Sequence, residues 1–194
     1  MTNQLVQHTL EQSASFPLGT GSVHICTKHG REVLIRHIQP TDDHYLIDLF
    51  EHLSEETRRF RFFVPLTRVP MSYVAREAHT LAAIDTMRQA ALIALTADQD
   101  SEEAIGVTRL SIDQEQPGTA EFAIVLRDDY QRDGIGTVLL DLLVQVAMVR
   151  GLKRLRAVSL AENEGIHHLI SHLGLPVKND TRKGETTSII SLLD

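Results

Sequence analysis

Glu121-Phe122-Ala123-Ile124-Val125-Leu126, then Arg127-Asp128-Asp129-Tyr130, then Gln131-Arg132-Asp133-Gly134-Ile135-Gly136 is the stretch that decides the fold. Thr119 to Leu126 is rich in β-branched and aromatic residues and reads as a strand. Arg127 to Asp133 is a polar loop. From Gly136 to Arg150 the polar residues Thr137, Asp141 and Gln145 recur every four positions. That leaves a narrow polar stripe on an otherwise apolar helix, and such a helix is mostly buried. Gln131 to Gly136 fits the pattern Q/R-x-x-G-x-G/A. The glycines let backbone approach a ligand closely. The helix start offers unpaired N–H groups and a positive dipole end, which suit a pyrophosphate. The bland alternative is a tight strand-to-helix turn without a ligand. A dinucleotide fold is rejected: the third glycine position, three after Gly136, is Leu139, and the upstream strands form a meander, not a βαβ unit. No G-x-x-x-x-G-K-[ST] occurs, so a P-loop is rejected too.

Working outward, Ala90 to Leu95 and Ala104 to Ile112 read as two strands joined by a turn over Asp98 to Glu103. With Thr119 to Leu126, reached through a turn over Gln114 to Gly118, they make an antiparallel meander. Upstream, Val23 to Thr27 and Glu32 to Ile38 flank a turn containing Gly30 and read as a hairpin. Thr41 is the expected N-cap of a helix whose first turn carries Asp42 and Asp43. Ser54 restarts it ahead of Glu55 and Glu56, and Met71 to Leu81 is a further helical stretch. Downstream, Gly151 ends the buried helix. Lys153 to Leu160 is a strand, Asn163 to Leu173 a helix stopped by Gly174, and Glu185 to Leu193 a last strand.

The chain has 194 residues, 42% hydrophobic and 23% charged, enough for one ordinary domain of ~150 residues with a short extension. Residues 1 to 20 read as an N-terminal arm and 21–194 as the domain. Cys26 is the single cysteine, so no internal disulfide and no Cys-rich zinc site exist; a structural role is assigned to it. The net charge of −7 is unlike that of nucleic-acid readers. The longest apolar run, Ala90 to Leu95, is six residues, against roughly 20 for a membrane helix. Met1 to Phe16 lacks a secretory h-region, so a cytoplasmic location is expected.

On these residues the chain resembles the GNAT family of acyl-CoA-dependent N-acetyltransferases, over about residues 32 to 193. Asn163 and Leu173-Gly174-Leu175 support the match. In detail it is most similar to the catalytic domain of bacterial Pat-type protein lysine acetyltransferases. The matching stretches are Leu34-Ile35-Arg36 with Pro40-Thr41-Asp42, Leu53-Ser54-Glu55-Glu56 leading to Arg61-Phe62-Phe63, and Gly106-Val107-Thr108-Arg109-Leu110. The resemblance implies an α/β fold, a single domain with a mixed, mainly antiparallel sheet flanked by helices. It implies acetyl-CoA as co-substrate and no metal. Backbone of Gln131, Arg132, Asp133, Gly134, Ile135, Gly136 and Thr137 would hold the CoA pyrophosphate. Ile124 and Leu126 would pair with pantetheine, Val125 or Leu126 would steady the oxyanion, and Asn163 would contact the pantetheine or sulfur region. Glu121 would be the general base. It shares a strand face with Ala123 and Val125, and apolar neighbours make a carboxylate harder to ionise and a better base. The alternative is a solvent-facing edge glutamate.

The acceptor implied is a primary amine, by subfamily a protein lysine, with a small-molecule amine as the enzyme alternative. The resemblance leaves room for a homodimer without fixing the oligomeric state, whereas no nucleic acid, no membrane and no fused regulatory domain are expected. A catalytically degenerate acyl-CoA sensor is the rival reading. Two departures keep it open: Ile170 stands where many relatives have a tyrosine acid, and Asp133 adds charge to the pyrophosphate motif unless its side chain points to solvent. His167, His168 and His172 read as the solvated face of a helix. Arg58, Arg59 and Arg61 read as the solvated side of a helix with buried Phe residues, or as a site for an acidic partner or the CoA 3′-phosphate.

Overall fold

The computed structural model describes residues 16, 19–64, 66, 68–96 and 102–192. The turn expected over Asp98 to Glu103 lies largely outside them. The fold is a single α/β domain built on one sheet of eight strands in the order β1-β2-β3-β4-β5-β6-β8-β7. Strands β1 (Ser22–Cys26) and β2 (Glu32–His37) form the expected hairpin. Strands β3 (Gln89–Thr96), β4 (Ala104–Ile112) and β5 (Thr119–Leu126) form the meander. The chain then crosses the sheet through a helix and enters β6 (Arg154–Leu160), parallel to β5. Strand β8 (Glu185–Ser191) lies between β6 and β7 (Val177–Arg182). The sequence carries no strand signal over Val177 to Arg182. That strand is exposed along nearly its whole length, so it carries no apolar alternation; its Lys178, Asp180 and Arg182 suit an edge that must not pair with other chains.

Helices α1 (Asp43–Glu51), α2 (Glu55–Phe62) and α3 (Met71–Ala82) belong to the segment between β2 and β3. Leu49 and Leu53 bury one end of that layer against Ile93, Val107 and Val125. Helix α4 (Ile135–Val149) and helix α5 (Glu164–His172) cover the opposite face. There Leu139, Leu143 and Ile170 join Phe122 and Leu126 in the larger core. Burying one such side chain contributes roughly 1.5–3 kcal/mol. Phe16, within the expected arm, is fully buried, and its carbonyl oxygen lies 2.8 Å from His37 Nε2. The cap of α1 is Asp42, not Thr41. The Asp42 carboxylate is drawn off the helix by Arg36, at 2.6 and 2.9 Å, and by the Gln39 N–H. Ser54 caps α2 as expected, accepting from the Thr57 N–H.

Gly106 pairs with Leu126, and a Cβ there would come within 3.0 Å of the Leu126 side chain and the Val125 carbonyl oxygen. Any side chain at this position would press on the end of β5.

The polar stripe of α4 leaves Asp141 half-buried. Burial pushes its carboxyl above the usual value of 3.8, against the opposing field of His172. The folded state therefore binds that proton more tightly than the unfolded chain. The favourable contribution is complete below pH 3.8 and is lost as pH rises through the higher folded pKa. We expect Asp141→Asn to raise the melting temperature at pH 7 and to confer no advantage near pH 3. A lower melting temperature at pH 7 would overturn this account.

Candidate active site

Strands β5 and β6 pair only over Thr119, Ala120 and Glu121, opposite Arg154, Leu155 and Arg156. Beyond Glu121 they part, and the rest of β5 keeps only β4 as neighbour. The odd-numbered residues of β5 turn their peptide groups to β4. Thr119 O accepts from the Asp113 N–H, Ala123 O accepts from the Thr108 hydroxyl, and the Arg127 N–H donates to Ile105 O. Alternation therefore turns the N–H and C=O of Ile124 and Leu126 into the gap. Leu126 O already accepts from the Gln131 side-chain amide at 3.3 Å. The Ile124 N–H and C=O and the Leu126 N–H remain for a ligand. The Val125 N–H points to β4, so of the two expected oxyanion donors the geometry leaves Leu126.

The gap leads to the start of α4. Arg132 has φ 61° and Gly134 φ 90°, both left-handed. Such alternation curls successive N–H groups toward one point, an anion-binding nest, and the first helical turn adds more. Among the described residues, the N–H groups of Arg132 to Thr137 meet no acceptor from elsewhere in the fold. The residues present thus fit a pyrophosphate. Lys28, which sequence reasoning missed, comes from the β1–β2 turn; a Cβ on Gly134 would lie 3.8 Å from its Cε.

Asp133 does not point to solvent. Its side chain turns away from the helix start and is buried under the hairpin turn, where Oδ1 accepts from the His29 N–H at 3.1 Å and lies 2.7 Å from His29 Nδ1. Burial opposes its ionisation. The Thr27 hydroxyl and His29 outweigh that and hold its pKa below the usual range. The charge that seemed out of place beside a pyrophosphate is thus spent on anchoring the loop to β1–β2.

Glu121 stands where the two strands part, and charged side chains join the apolar ones around it. Its carboxylate is 2.8 Å from Arg156, which reaches it directly across β6 and also lies 3.5 Å from Asp113. A cavity of about 490 Å³ opens on this face, lined by Glu121, Arg156, Asp113, Arg61 and Arg109 among others. Burial lowers the pKa of Arg61, partly offset by Glu121. Arg109 is lowered to about 10 by burial and then by the charge of Arg61.

The three arginines of α2 have separate surroundings. Arg58 donates to Phe50 O and Glu51 O and stacks on the Phe50 ring, closing the end of α1. Arg59 pairs with Glu162 of the β6–α5 loop, across the gap's mouth. Arg61 faces the cavity. Phe60 and Phe62 are only half-buried and Phe63 is exposed.

Asp128 joins the two walls. It accepts from the Ser54 N–H and hydroxyl and from the Thr57 hydroxyl, at 2.7 to 3.0 Å. Burial opposes its charge, but these donors hold its pKa below the usual range. Asn163 caps α5 through Oδ1, which accepts from the Ile166 N–H, leaving its amide NH2 for other contacts. Ile170 is core. The His168 and His172 rings lie 4.3 Å apart on the outer face of α5, and among the described residues no three His, Cys, Asp or Glu are grouped to hold a metal. Cys26, expected to be structural, is exposed.

The family model of the Acetyltransferase (GNAT) domain matches residues 32–176. The chain belongs to the GNAT family. An acetyltransferase of Pseudomonas aeruginosa is 29% identical over 164 residues, 84% of this chain and 84% of that protein. The GNAT domain of S. lividans PAT superposes with a TM-score of 0.75 at 22% identity, covering 88% of this GNAT chain and 96% of the other. Spermidine N-acetyltransferase from Vibrio cholerae, solved with CoA and spermine, gives 0.62 at 15% identity, covering 82% and 95%. At such identities the solved structures establish a shared GNAT fold. Family membership makes this an acetyltransferase-type domain.

Proposed function

We propose that the chain transfers an acetyl group from acetyl-CoA to a primary amine, with a protein lysine as the acceptor. The observation that carries this reading is the gap between β5 and β6, with an anion-binding nest at its open end and Glu121 where it closes. The nest from Gln131 to Thr137 holds the pyrophosphate, with Lys28 beside it. Ile124 and Leu126 align the pantetheine as one more strand, and the Asn163 amide NH2 contacts it. Glu121 takes a proton from the acceptor ammonium, directly or through water. The freed amine lone pair forms the new N–C bond, the C–S bond breaks with the electron pair leaving on sulfur as thiolate, and the second proton of the acceptor nitrogen passes to water, leaving a neutral amide. The Leu126 N–H stabilises the oxyanion between those events. Ile170 supplies no acid, so the thiolate departs without a proton from this position.

Lysine as acceptor rests on the resemblance of Leu34 to Asp42, Leu53 to Phe63 and Gly106 to Leu110 to Pat-type lysine acetyltransferases. A cytoplasmic location and a homodimer belong to the same reading; no helix among the described residues is long and apolar enough to cross a membrane. A sensor that binds acyl-CoA without turnover is the second reading, favoured by Ile170 and by the Arg156 hold on Glu121.

Acetyl-CoA at 100 times its dissociation constant is expected to add about 2.7 kcal/mol and raise the melting temperature. Thiol release should then follow on adding lysine peptides. Stabilisation without thiol release over a broad amine panel favours the sensor. No melting shift at millimolar acetyl-CoA overturns both.

A further inference from the structure

Three arginines line the cavity beside Glu121, in a chain whose net charge is −7. Arg156 is accounted for by Glu121 and Asp113. Arg61 and Arg109 are not. Neither forms an ion pair among the described residues. Arg109 donates once, to Leu81 O at 3.0 Å at the end of α3. The Arg61 side chain makes no hydrogen bond among them, and its guanidinium lies 5.2 Å from the Phe62 ring centroid. Both are half-buried, and each guanidinium has five donors to satisfy. Two like charges placed together out of water cost free energy unless an anion joins them. The depressed pKa of Arg109, caused by burial and by Arg61, reports that cost.

Their position gives the arrangement a use. Ser111 pairs with Glu121 and Arg109 with Ala123, so Arg109 and Glu121 are diagonal neighbours on one face of the sheet. Such neighbours lie about 7–8 Å apart, with their Cβ atoms somewhat closer. Arg61 enters the same cavity from α2. A molecule whose amine meets Glu121 therefore brings its next few atoms against two guanidinium groups.

We propose that the acceptor carries a carboxylate close to its amine, and that Arg61 and Arg109 together recognise it. This rests on acetyl transfer to a primary amine, not on lysine as the acceptor, and narrows the class of amine. The carboxylate has two sources: the acceptor's own, as in a free amino acid, or an Asp or Glu beside a lysine in a protein. Bidentate arginine binding distinguishes a carboxylate from a carboxamide of the same shape. The acidic groups facing the pair, Glu121, Asp113 and Glu115, disfavour a second negative group elsewhere on the acceptor.

The test is thiol release from acetyl-CoA by the full chain, using matched acceptors. One arm compares free amino acids with their α-carboxamides. The other compares lysine peptides carrying Glu beside the lysine with the same peptides carrying Gln. In at least one arm kcat/KM is expected to favour the carboxylate by about 10- to 100-fold, and that arm names the source. Arg61→Gln and Arg109→Gln should each bring the ratio toward one, with acetyl-CoA affinity retained as the folding control. Arg109→Gln also loses the bond to Leu81, so Arg61→Gln and the wild-type comparison stand alone if that variant does not fold. Equal rates for carboxylate and neutral partners in both arms overturn this proposal and leave acetyl transfer standing. No turnover of any amine, with acetyl-CoA bound, overturns the acetyl-transfer reading and this one with it.

Discussion

Glu121→Gln is expected to lower turnover by about 10²–10⁴ at pH 7 while leaving acetyl-CoA affinity unchanged. The substitution keeps the shape of the side chain and one hydrogen bond to Arg156 but removes the basic lone pair. The pH dependence carries the argument. A lysine acceptor with an ordinary pKa of ~10.4 is almost wholly protonated at neutrality, so a base matters most there. Near pH 9.5 more acceptor is already neutral, and the difference between variant and parent should shrink. The ion pair with Arg156 need not block the step. Arg156 also lies 3.5 Å from Asp113, so it has a second carboxylate to lean on when Glu121 takes the proton. Equal rates for variant and parent at both pH values would remove Glu121 as the base. Loss of acetyl-CoA affinity would make its role structural.

Gly134→Glu is expected to abolish the melting shift caused by acetyl-CoA. Gly134 has φ 90°, a backbone region that residues with a Cβ rarely adopt, so any substitution distorts the nest. Glutamate also puts a negative charge where the pyrophosphate is to lie, beside Lys28. Gly134→Ala separates these effects: it carries the strain without the charge and should lose less affinity. Calorimetry on the three proteins measures both. Unchanged affinity in Gly134→Glu would move the cofactor away from the start of α4.

The residues differ in how openly they declared these places. Helix α4 was legible because Thr137, Asp141 and Gln145 repeat locally, and the β1–β2 hairpin because Gly30 sits between two β-branched runs. Strand β7 was not, since solvent covers it and leaves no periodic signal. The motif from Gln131 to Gly136 is contiguous, so its geometry could be foreseen. The surroundings of Glu121 could not. Arg156 stands 35 residues later and becomes its neighbour only through a three-residue parallel register. Arg61 arrives from a separate helix. Asp133 shows the same limit: its chemistry depends on His29 and Thr27, brought there by the hairpin, and no spacing near Asp133 encodes them. Arg58, Arg59 and Arg61 look alike in sequence because they are adjacent, yet helical geometry sends them to an α1 carbonyl, a loop across the gap and the cavity.

The place where β5 and β6 part also bears on how the protein avoids its own aggregation. Exposed strand edges invite other chains to add to a sheet. Here the unpaired stretch, Phe122 to Leu126, is interior to the sheet, walled on the far side by β6. One of its inward carbonyl oxygens is already held by Gln131. What remains is a short ladder, and it ends where Glu121 and Arg156 pair. The domain thus confines its unpaired strand edge to the sheet interior, while at β7, one of its two outer edges, charged side chains face solvent.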